Sequence, residues 1–318
     1  MLYPMKTSPV FKQYIWGGNN IKILYNKETP EPPVAESWEI SAHPDGICRV
    51  AEGEYKGKTI PELCKLLGRD FCGSSIDAEE KFPLLLKILD AHEALSVQVH
   101  PDDAYAAENE NGEKGKTEAW YILRAAEGAG LIYGFKEDTD SADFEKALTA
   151  GEPEKYLNFV PCSEGDVFYI PAGTVHAIGK GLVIAEIQQS SNTTYRVFDY
   201  NRRDKDGNLR PLHIKKALEV SDFSSVSGRE KTIPVRKSAP GGSLESFVDN
   251  EFFVFEKITA ENEFKTETEG RLHMLFAAKG GFEIAGCTFK EGDSVLIPAG
   301  MGSYTIKGCC EVLRYFVR

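Results

Sequence analysis

The chain has 318 residues, which at ~150 residues per domain is enough for about two domains. Its 49 acidic residues outnumber its 37 lysines and arginines, so the formal net charge is −12 at pH 7. A nucleic-acid-binding protein normally gathers positive charge against phosphate, and a membrane helix needs ~20 apolar residues in a row. The sequence has neither feature, and we therefore expect neither a nucleic acid nor a membrane as a partner.

Seven cysteines are spread along the chain without a Cys-x-x-Cys pair. A chain of this length does not need disulfide bonds for stability, so the pattern predicts reduced thiols. The first residues also lack the basic stretch followed by an apolar one that marks a secretory signal peptide. Together these features predict a cytoplasmic protein.

Along the chain, few segments show a helix pattern. The helix-like segments, several with Pro or Asp near the start, are residues 60–67, 101–109, 141–149 and 211–220. Strand-sized runs rich in β-branched or aromatic residues are 131–135, 183–187, 252–255 and 272–276. Residues 221–243 carry Ser, Gly, Pro and charge without periodicity, which indicates a linker. We predict a mainly β protein with a few short helices, divided into a domain of residues 1–235 and a smaller domain of residues 236–318.

An internal repeat indicates that a β domain is duplicated. Residues 164–181 read EGDVFYIPAGTVHAIGKG and residues 291–308 read EGDSVLIPAGMGSYTIKG, and they align without gaps at an offset of 127 residues. Each copy starts with a Gly-Asp turn, continues in a short apolar run, and reaches Pro-Ala-Gly before a second strand-like run. This order is typical of short antiparallel strands joined by tight turns.

The first copy resembles the second sequence motif of the cupin superfamily. The glycine, proline, glycine and histidine of that motif fall at Gly165, Pro171, Gly173 and His176. Cupins are double-sheet jelly rolls that hold a metal ion inside the barrel. The second copy has Ser303 where the first has His176. The resemblance implies two cupin-like jelly-roll barrels, with a metal in the barrel of residues 1–235 and none in that of residues 236–318.

Two predicted strands ahead of the repeat carry polar faces. The segment LSVQVH alternates polar with apolar side chains, so Ser96, Gln98 and His100 lie on one face. Polar residues on such a face are unusual in a buried strand unless the face lines a cavity. On the second strand, Lys116 and Glu118 share a face in the same way. The two strands therefore offer polar groups that can converge inside a barrel.

Two histidines and one carboxylate are a common ligand set for catalytic zinc, with room left for substrate or water. The predicted ligands are His100, Glu118 and His176, with one Zn²⁺ per chain. Gln98 is either a further ligand through its amide oxygen or a donor that orients His100. The remaining histidines are expected to be ordinary hydrogen-bonded side chains: His43, His92, His213 and His273.

The chain as a whole resembles the type I mannose-6-phosphate isomerases (phosphomannose isomerases) in their short bacterial form. The matching segments are YIWGG at 14–18, FPLLLK at 82–87, LSVQVHPD at 95–102, KTE at 116–118, PAGTVH at 171–176, Glu186, and SSNTTYR at 190–196. The long helical insertion of the larger family members has no room between Glu118 and His176. The resemblance implies a zinc-dependent enzyme that interconverts mannose 6-phosphate and fructose 6-phosphate through an enediol-type intermediate.

Such an isomerase needs a base and a group that stabilises the developing oxyanion. The resemblance places Arg196 among the catalytic residues, where the ordinary alternative is a surface salt bridge. Lys116 is a candidate base or proton shuttle, because a neighbouring dication makes an ammonium easier to deprotonate. Its ordinary alternative is a surface lysine. Glu186, in an otherwise apolar strand, is a second candidate base.

Three residues are candidates for binding the substrate, a small phosphorylated sugar. Lys87 faces inward by strand parity and, with Ser96, is a candidate phosphate contact. Trp16 is a candidate wall of the pocket. The ordinary alternatives are a lysine that carries its charge out to solvent and a tryptophan packed in the core.

Two other functions fit parts of the same pattern. A cupin dioxygenase holds iron with two histidines and a carboxylate, although such proteins often have His-x-His where this chain has Gln98 and His100. A sugar-phosphate-binding regulator would keep the barrel and lose turnover. The isomerase is favoured because each position that the reaction needs carries a suitable residue.

Overall fold

The structure is a computed structural model that describes residues 2–77, 80–203, 206–226, 228 and 230–318. Strands make up 40% and helices 15%, which confirms the predicted mainly β fold with a few short helices. The strands are β1 (Met5–Ser8), β2 (Val10–Lys12), β3 (Glu36–Ile40), β4 (Arg49–Val50), β5 (Leu84–Ala91), β6 (Val97–Val99), β7 (Glu118–Ala125), β8 (Gly130–Phe135), β9 (Leu157–Pro161), β10 (Val167–Ile170), β11 (His176–Ile178), β12 (Leu182–Gln189), β13 (Tyr195–Phe198), β14 (Val235–Ala239), β15 (Gly242–Asp249), β16 (Val254–Ala260), β17 (Glu263–Glu267), β18 (His273–Lys279), β19 (Phe282–Ile284), β20 (Cys287–Phe289), β21 (Ser294–Ile297), β22 (Ser303–Lys307) and β23 (Cys310–Phe316).

The α-helices are α1 (Asn20–Tyr25), α2 (Ile60–Leu67), α3 (Arg69–Cys72), α4 (Asp103–Asn109), α5 (Ser141–Ala150) and α6 (Ile214–Val220). Single turns of 3₁₀-helix lie at Pro153–Lys155 and Ala299–Met301. The four predicted helices correspond to α2, α4, α5 and α6. Among the helices of the described residues, none combines the length and the apolar composition required to cross a membrane.

Within the described residues, four antiparallel sheets form two barrels. The first barrel combines a six-stranded sheet (β10-β7-β12-β5-β3-β2) with a five-stranded sheet (β13-β6-β11-β8-β9). The second combines an eight-stranded sheet (β14-β15-β16-β23-β18-β21-β1-β4) with a four-stranded sheet (β17-β22-β19-β20). Each barrel encloses its own apolar core, and a further core lies between the six-stranded and eight-stranded sheets. The predicted pair of cupin-like barrels is therefore confirmed.

Strand β5 shows how the central sheet is built. All eight of its residues are buried, because each face of this sheet is covered by a core. Leu84, Leu86 and Ile88 point into the core between the barrels, whereas Lys87 points the other way. The adjacent strand β12 is also buried throughout and places Glu186 directly opposite Lys87. The period of two thus brings a charged pair into the first barrel while the opposite face stays apolar.

The beginning of the chain joins the two barrels. Strand β1 pairs with β21 on one side and with β4 on the other, so residues before 51 extend the eight-stranded sheet. Hydrogen bonds of one sheet therefore cross the predicted boundary near residue 235. The predicted linker of residues 221–243 differs from the structure at its end, where β14 and β15 pair. The side chains of β14 are all exposed, which removes the alternation that a sequence pattern needs.

The internal repeat forms the same two-strand unit in each barrel. Its first copy spans β10 and β11, and its second copy spans β21 and β22. The glycine of each repeated Gly-Asp turn has a positive φ, 88° at Gly165 and 85° at Gly292. Residues with a Cβ rarely adopt this conformation, so the turn accounts for the repeated glycine.

The segment around α2 corrects the predicted cysteine chemistry. Helix α2 begins with a capping box, in which the Thr59 hydroxyl accepts from the Glu62 N–H and the Glu62 carboxylate accepts from the Thr59 N–H. After the turn at Gly68, α3 brings Cys72 back to Cys64, and the two form a disulfide with Cα atoms 5.8 Å apart. The prediction of reduced cysteines is wrong for this pair, because a helix–turn–helix contact joins residues whose spacing is no known motif. The cysteines therefore give no support to the predicted cytoplasmic location.

Candidate active site

The predicted metal ligands lie at neighbouring strand ends in the first barrel. Gln98 lies on β6, His100 directly follows it, and Glu118 and His176 are the first residues of β7 and β11. Strand β11 pairs with β6 so that His176 lies opposite Gln98. One ligand atom each from His100, Glu118 and His176 lies within 4.8 Å of the others, and all three side chains are buried. The fold thus brings together His100 and His176, which are 76 positions apart in the sequence.

Backbone carbonyls orient the two imidazole rings. The carbonyl oxygen of Thr193 lies 2.8 Å from His100 Nδ1, and that of Thr174 lies 2.8 Å from His176 Nδ1. A carbonyl oxygen only accepts, so each Nδ1 donates its proton and each Nε2 presents a lone pair to the cluster. His100 Nε2 is 3.3 Å from one oxygen of Glu118, and His176 Nε2 is 3.9 Å from the other. An acceptor behind each ring is usual for metal-binding histidines.

Burial and neighbouring charges favour the metal-binding forms of these side chains. Burial lowers the pKa of His100 to about 3, with a further contribution from Lys116, and burial also lowers the pKa of His176. Burial opposes ionisation of Glu118, but the Lys116 ammonium and His100 outweigh it and hold the pKa of that carboxyl well below its usual range. Near neutral pH the cluster is two neutral imidazoles and one carboxylate. This donor set fits a divalent metal ion.

Lys116 and Gln98 reach the same cluster. The Lys116 ammonium forms an ion pair with Glu118 and lies 3.1 Å from His100 Nε2. Lys116 is buried, which excludes the alternative of a surface lysine. The Gln98 amide nitrogen is 3.4 Å from His176 Nε2. Gln98 therefore lies next to His176. Among the described residues, it has no hydrogen bond that would orient His100.

A second set of buried charges lies beside the metal cluster. Lys87 Nζ is 3.4 Å from a Glu186 oxygen and 3.9 Å from a Glu36 oxygen. The Trp120 indole N–H donates to Glu186 at 2.9 Å and to Glu118 at 3.1 Å, so it links the two sets. Burial raises the pKa of Glu186, and the Glu118 charge adds to this effect. Burial opposes the charge of Lys87, but Glu36 and Glu186 outweigh it and raise the pKa of the ammonium.

One cavity of about 320 Å³ opens onto both sets of charges. It is lined by all six residues that were predicted for catalysis or substrate binding: Trp16, Lys87, Ser96, Lys116, Glu186 and Arg196. Sequence reasoning missed five other polar or aromatic lining residues: Tyr14, Glu36, Asn192, Thr194 and Arg210. Tyr14 stacks on Trp16 with ring centroids 5.7 Å apart. The strand parity of Glu36 indicates which face of β3 it occupies, but the sequence does not specify which strand lies next to β3.

Arg196 enters the cavity from β13. Its backbone lies opposite Gln98 in the sheet, its Nε donates to the Ser96 hydroxyl at 3.2 Å, and its NH1 donates to the Pro211 carbonyl at 3.0 Å. No described carboxylate forms an ion pair with this guanidinium. The described residues therefore do not show the alternative of a surface salt bridge, and neutral acceptors hold the group in place.

The remaining histidines lie outside the cluster, as predicted. His213 Nδ1 accepts a hydrogen bond from the backbone N–H of Arg196 at 3.2 Å, so it supports the strand that carries the arginine. His273 Nδ1 is 2.9 Å from the Tyr304 hydroxyl in the second barrel. Both have ordinary hydrogen-bonding roles.

The fold and the cavity define a cupin-type barrel protein with a histidine–glutamate–histidine cluster at a polar site. Residues 5–122 match the family "Phosphomannose isomerase type I, catalytic domain", and residues 243–317 match "Mannose-6-phosphate isomerase, cupin domain". The mannose-6-phosphate isomerase of Streptococcus mutans and the mannose-6-phosphate isomerase ManA of Bacillus subtilis are each 37% identical to the chain, over 98% of both sequences. The crystal structure of the mannose 6-phosphate isomerase from Bacillus subtilis has a TM-score of 0.92 and 37% identity, and the match covers 98% of this chain and 99% of that one. The chain belongs to the type I phosphomannose isomerase family, which confirms the resemblance.

Proposed function

We propose that this chain interconverts mannose 6-phosphate and fructose 6-phosphate, with one zinc ion held by His100, Glu118 and His176. The observation that carries the proposal is a single polar cavity beside the metal cluster, lined by every residue type that the reaction requires. Zinc bound there would supply Lewis acidity, which polarises a sugar carbonyl and orients neighbouring oxygens. Gln98 is proposed as a further ligand through its amide oxygen, which requires the amide to turn, because its nitrogen is the atom that lies 3.4 Å from His176 Nε2.

Isomerisation moves a proton between C1 and C2 of the sugar through an enediol-type intermediate, so a base must reach these carbons. Lys116 and Glu186 are the proposed proton-transfer groups, because both line the cavity. One oxygen of Glu186 accepts from Trp120, while the other faces Lys87 and has no hydrogen bond to a described residue. That second oxygen is the one that remains for the proton.

Deuterium exchange separates the two proton-transfer groups. Lys116→Met and Glu186→Gln each remove one candidate base. The variant that lacks the base at C2 is expected to lose exchange of the C2 proton of mannose 6-phosphate with deuterium oxide. The other variant is expected to turn over slowly while this exchange continues. Full exchange and turnover in both variants would contradict the assignment of proton transfer to this pair.

Arg196 is the proposed partner of the developing oxyanion, because its guanidinium is held by neutral acceptors and keeps its charge for the substrate. Lys87, Ser96 and Trp16 are the proposed substrate contacts. Lys87 lies between two carboxylates, which repel a phosphate dianion, so we assign it to sugar hydroxyls. Trp16 closes one side of the cavity together with Tyr14.

Metal removal and restoration tests the proposed function. Protein dialysed against a chelator is expected to lose conversion of mannose 6-phosphate to fructose 6-phosphate, and added zinc is expected to restore it. Glucose 6-phosphate serves as the control substrate and is expected to remain unconverted. If the zinc-loaded protein binds mannose 6-phosphate without converting it, the regulator alternative replaces the isomerase. Oxygen uptake by iron(II)-loaded protein would support the dioxygenase alternative instead.

A further inference from the structure

Three arginines lie together beside the cavity, and two of them bind one carboxylate. Asp199 accepts hydrogen bonds from Arg210, through Nε at 2.7 Å and NH2 at 2.5 Å, and from Arg202, through Nε at 3.2 Å and NH2 at 2.5 Å. The third, Arg196, lines the cavity with Arg210 and donates to two neutral oxygens. We call Arg196, Arg202 and Arg210 the arginine cluster.

The charge balance differs between this cluster and the rest of the site. Each lysine of the cavity faces a carboxylate at close range: Lys87 is paired with Glu186 and Lys116 with Glu118. Of the described carboxylates, only Asp199 pairs with the arginine cluster. Three cations against one anion leave two positive charges. An incoming dianion is therefore attracted to the arginine cluster.

We infer that Arg210 binds the phosphate group of the substrate, and that Asp199 and Arg202 position Arg210 for this contact. The inference rests on the proposed function, because it assigns the phosphate end of the same sugar phosphate. The Arg210 side chain is 20% exposed, against 5% for Lys87, so it is the more accessible of these two cations. Asp199 takes the Nε and NH2 side of Arg210, and the NH1 side remains for a phosphomonoester.

Asp199 orients the Arg210 side chain before the substrate binds. Its bidentate contact fixes the plane of the Arg210 guanidinium before the substrate arrives, so less side-chain freedom is lost on binding. Arg202 holds Asp199 from the other side, donates to the carbonyl of Ala94, and lies over the ring of Tyr200. Burial opposes ionisation of Asp199, but the two guanidinium groups outweigh it and keep the pKa of that carboxyl below its ordinary value. Asp199 and Arg202 are therefore positioning residues.

Steady-state kinetics of the zinc-loaded, full-length protein test the subsite. Arg210→Ala is expected to raise both the KM for mannose 6-phosphate and the inhibition constant of inorganic phosphate ~10-fold or more, because a charged hydrogen bond to the ligand is lost. The kcat is expected to change less than ~3-fold, since the contact is made in ground state and transition state alike. Arg203→Ala is the matched control: Arg203 is an exposed neighbour that donates to the Gly207 carbonyl, and its loss is expected to leave all three constants unchanged. Unchanged KM and phosphate inhibition in Arg210→Ala would overturn the inference.

A double-mutant cycle tests the positioning role. Asp199→Ala is expected to raise the inhibition constant of phosphate in the parent protein and to have no further effect in the Arg210→Ala background. Equal effects in both backgrounds would show that Asp199 does not act through Arg210. If Arg210→Ala fails to fold, as judged by circular dichroism, Arg210→Gln replaces it with the same expectations.

Calorimetry keeps this inference separate from the proposed function. Should the zinc-loaded parent fail to isomerise mannose 6-phosphate, the proposed function falls, and titration with inorganic phosphate at constant ionic strength still decides on the subsite. Phosphate binding that is weakened in Arg210→Ala and kept in Arg203→Ala supports the subsite. Equal binding by the parent and Arg210→Ala overturns it.

Discussion

Within the repeated Ile-Pro-Ala-Gly segments, the isoleucines mark equivalent positions in the two barrels. Ile170 of the first copy lies opposite Glu118 on β7, and Ile297 of the second copy lies opposite His273 on β18. The second barrel therefore has a histidine where the first has the candidate metal ligand Glu118. That histidine is hydrogen-bonded to Tyr304. The same strand positions are thus polar in both barrels, with different partners.

The charged pair next to the candidate metal ligands also has a counterpart in the second barrel. Lys87 and Glu186 lie opposite each other on β5 and β12, and Glu256 and Arg314 lie opposite each other on β16 and β23. Glu186 lies opposite Trp120, two residues after Glu118, and Arg314 lies opposite Leu275, two residues after His273. The two pairs therefore occupy equivalent positions, with the acidic and basic residues exchanged between the strands. Arg314 donates two hydrogen bonds to Glu256, at 2.9 and 2.5 Å, and a third to Thr266 at 2.7 Å.

The two barrels differ in how far their buried polar groups are satisfied. In the second barrel, Arg314 donates hydrogen bonds to Glu256 and Thr266, and neither member of the ion pair lines the cavity of the first barrel. In the first barrel, Lys87 stays 3.4 Å from Glu186, and the oxygen that faces it has no hydrogen bond to a described residue. Unsatisfied buried groups are costly and are kept mainly where they act. We propose that residues 1–235 bind metal and substrate, and that residues 236–318 form a metal-free barrel that contributes stability.

The largest difference between the two barrels is expected when one histidine is removed from each. His176→Ala is expected to lose the single bound metal and to lower turnover by more than the ~10–100-fold that loss of an outer partner of a metal ligand costs. His273→Ala is the matched control and is expected to retain metal and turnover per folded molecule, because it lies outside the cluster. Elemental analysis after dialysis, with a mannose 6-phosphate assay, checks both. Full occupancy in His176→Ala, or metal loss in His273→Ala, would reverse the assignment of the barrels.

Arg196 separates catalysis from folding in the first barrel. Arg196→Ala is expected to lower turnover ~10²–10³-fold, as loss of a donor to a developing oxyanion does. The Tm is expected to stay within about 4 °C of the parent, because neutral acceptors hold the side chain and no buried charge is left behind. Zinc content is expected to be unchanged. Thermal melts and metal analysis check this, and an unfolded variant would mean that the arginine is structural.

The ion pair of the second barrel is expected to show the opposite behaviour. Glu256→Ala leaves the Arg314 guanidinium buried without its counter-ion, so the free energy of unfolding is expected to fall by about 3–5 kcal/mol. Metal content and turnover per folded molecule are expected to stay the same. Glu263→Ala is the matched control, since Glu263 is exposed and 3.9 Å from Lys307; its expected cost is below ~1 kcal/mol. Urea denaturation followed by fluorescence measures the free energy of unfolding of both variants. An equal decrease in the two variants would contradict a stabilising role for the buried ion pair of the second barrel.

Strand parity explains why much of the site was visible in the sequence. Side chains alternate between faces along an extended segment, so local spacing was enough to place Gln98 with Ser96, and Glu118 with Lys116, on common faces, although Ser96 and Lys116 lie just before β6 and β7. The repeat and its cupin-like spacing then added His176. These inferences need only residues that are close in sequence or repeated.

The parts that the sequence left open depend on contacts between distant segments. Glu36 reaches the site because β3 pairs with β5, and sequence does not specify which strands are neighbours. Asp199 and Arg210 meet through a loop without periodicity. Charges in such loops follow no pattern that distinguishes a site from a solvated surface. The pairing of β14 could not be predicted for a related reason, because all of its side chains are exposed and show no alternation.

The buried histidine of the second barrel is expected to make stability depend on pH. Burial, together with the charges of Arg314 and Arg271, holds the pKa of His273 well below its ordinary value. Below about pH 6.5 the unfolded chain therefore binds a proton at this residue that the native state does not bind. The free energy of unfolding then falls as the pH falls, by up to ~1.4 kcal/mol per pH unit for this one group. His273→Gln is expected to flatten that slope.

Urea denaturation of the parent, His273→Gln and His92→Gln between pH 5 and 8 measures this dependence. His92 is exposed and serves as the control, so its substitution is expected to leave the slope of the parent. Identical slopes in the parent and His273→Gln would show that His273 does not resist protonation in the native second barrel.

The smallest effect is expected at Ser303, where the second repeat has a serine in place of the histidine of the first. Ser303→His restores the residue type of His176, yet we expect no second metal site. Ser303 and its cross-strand partner Glu267 are both exposed, so a histidine there faces water, whereas the next residue, Tyr304, points inward to His273. Metal analysis of Ser303→His is expected to give one ion per chain, and the Ser303→His variant in a His176→Ala background is expected to give almost none. A second ion in the single variant, or one ion in the double variant, would show that the second barrel supplies ligands that its strand register does not reveal.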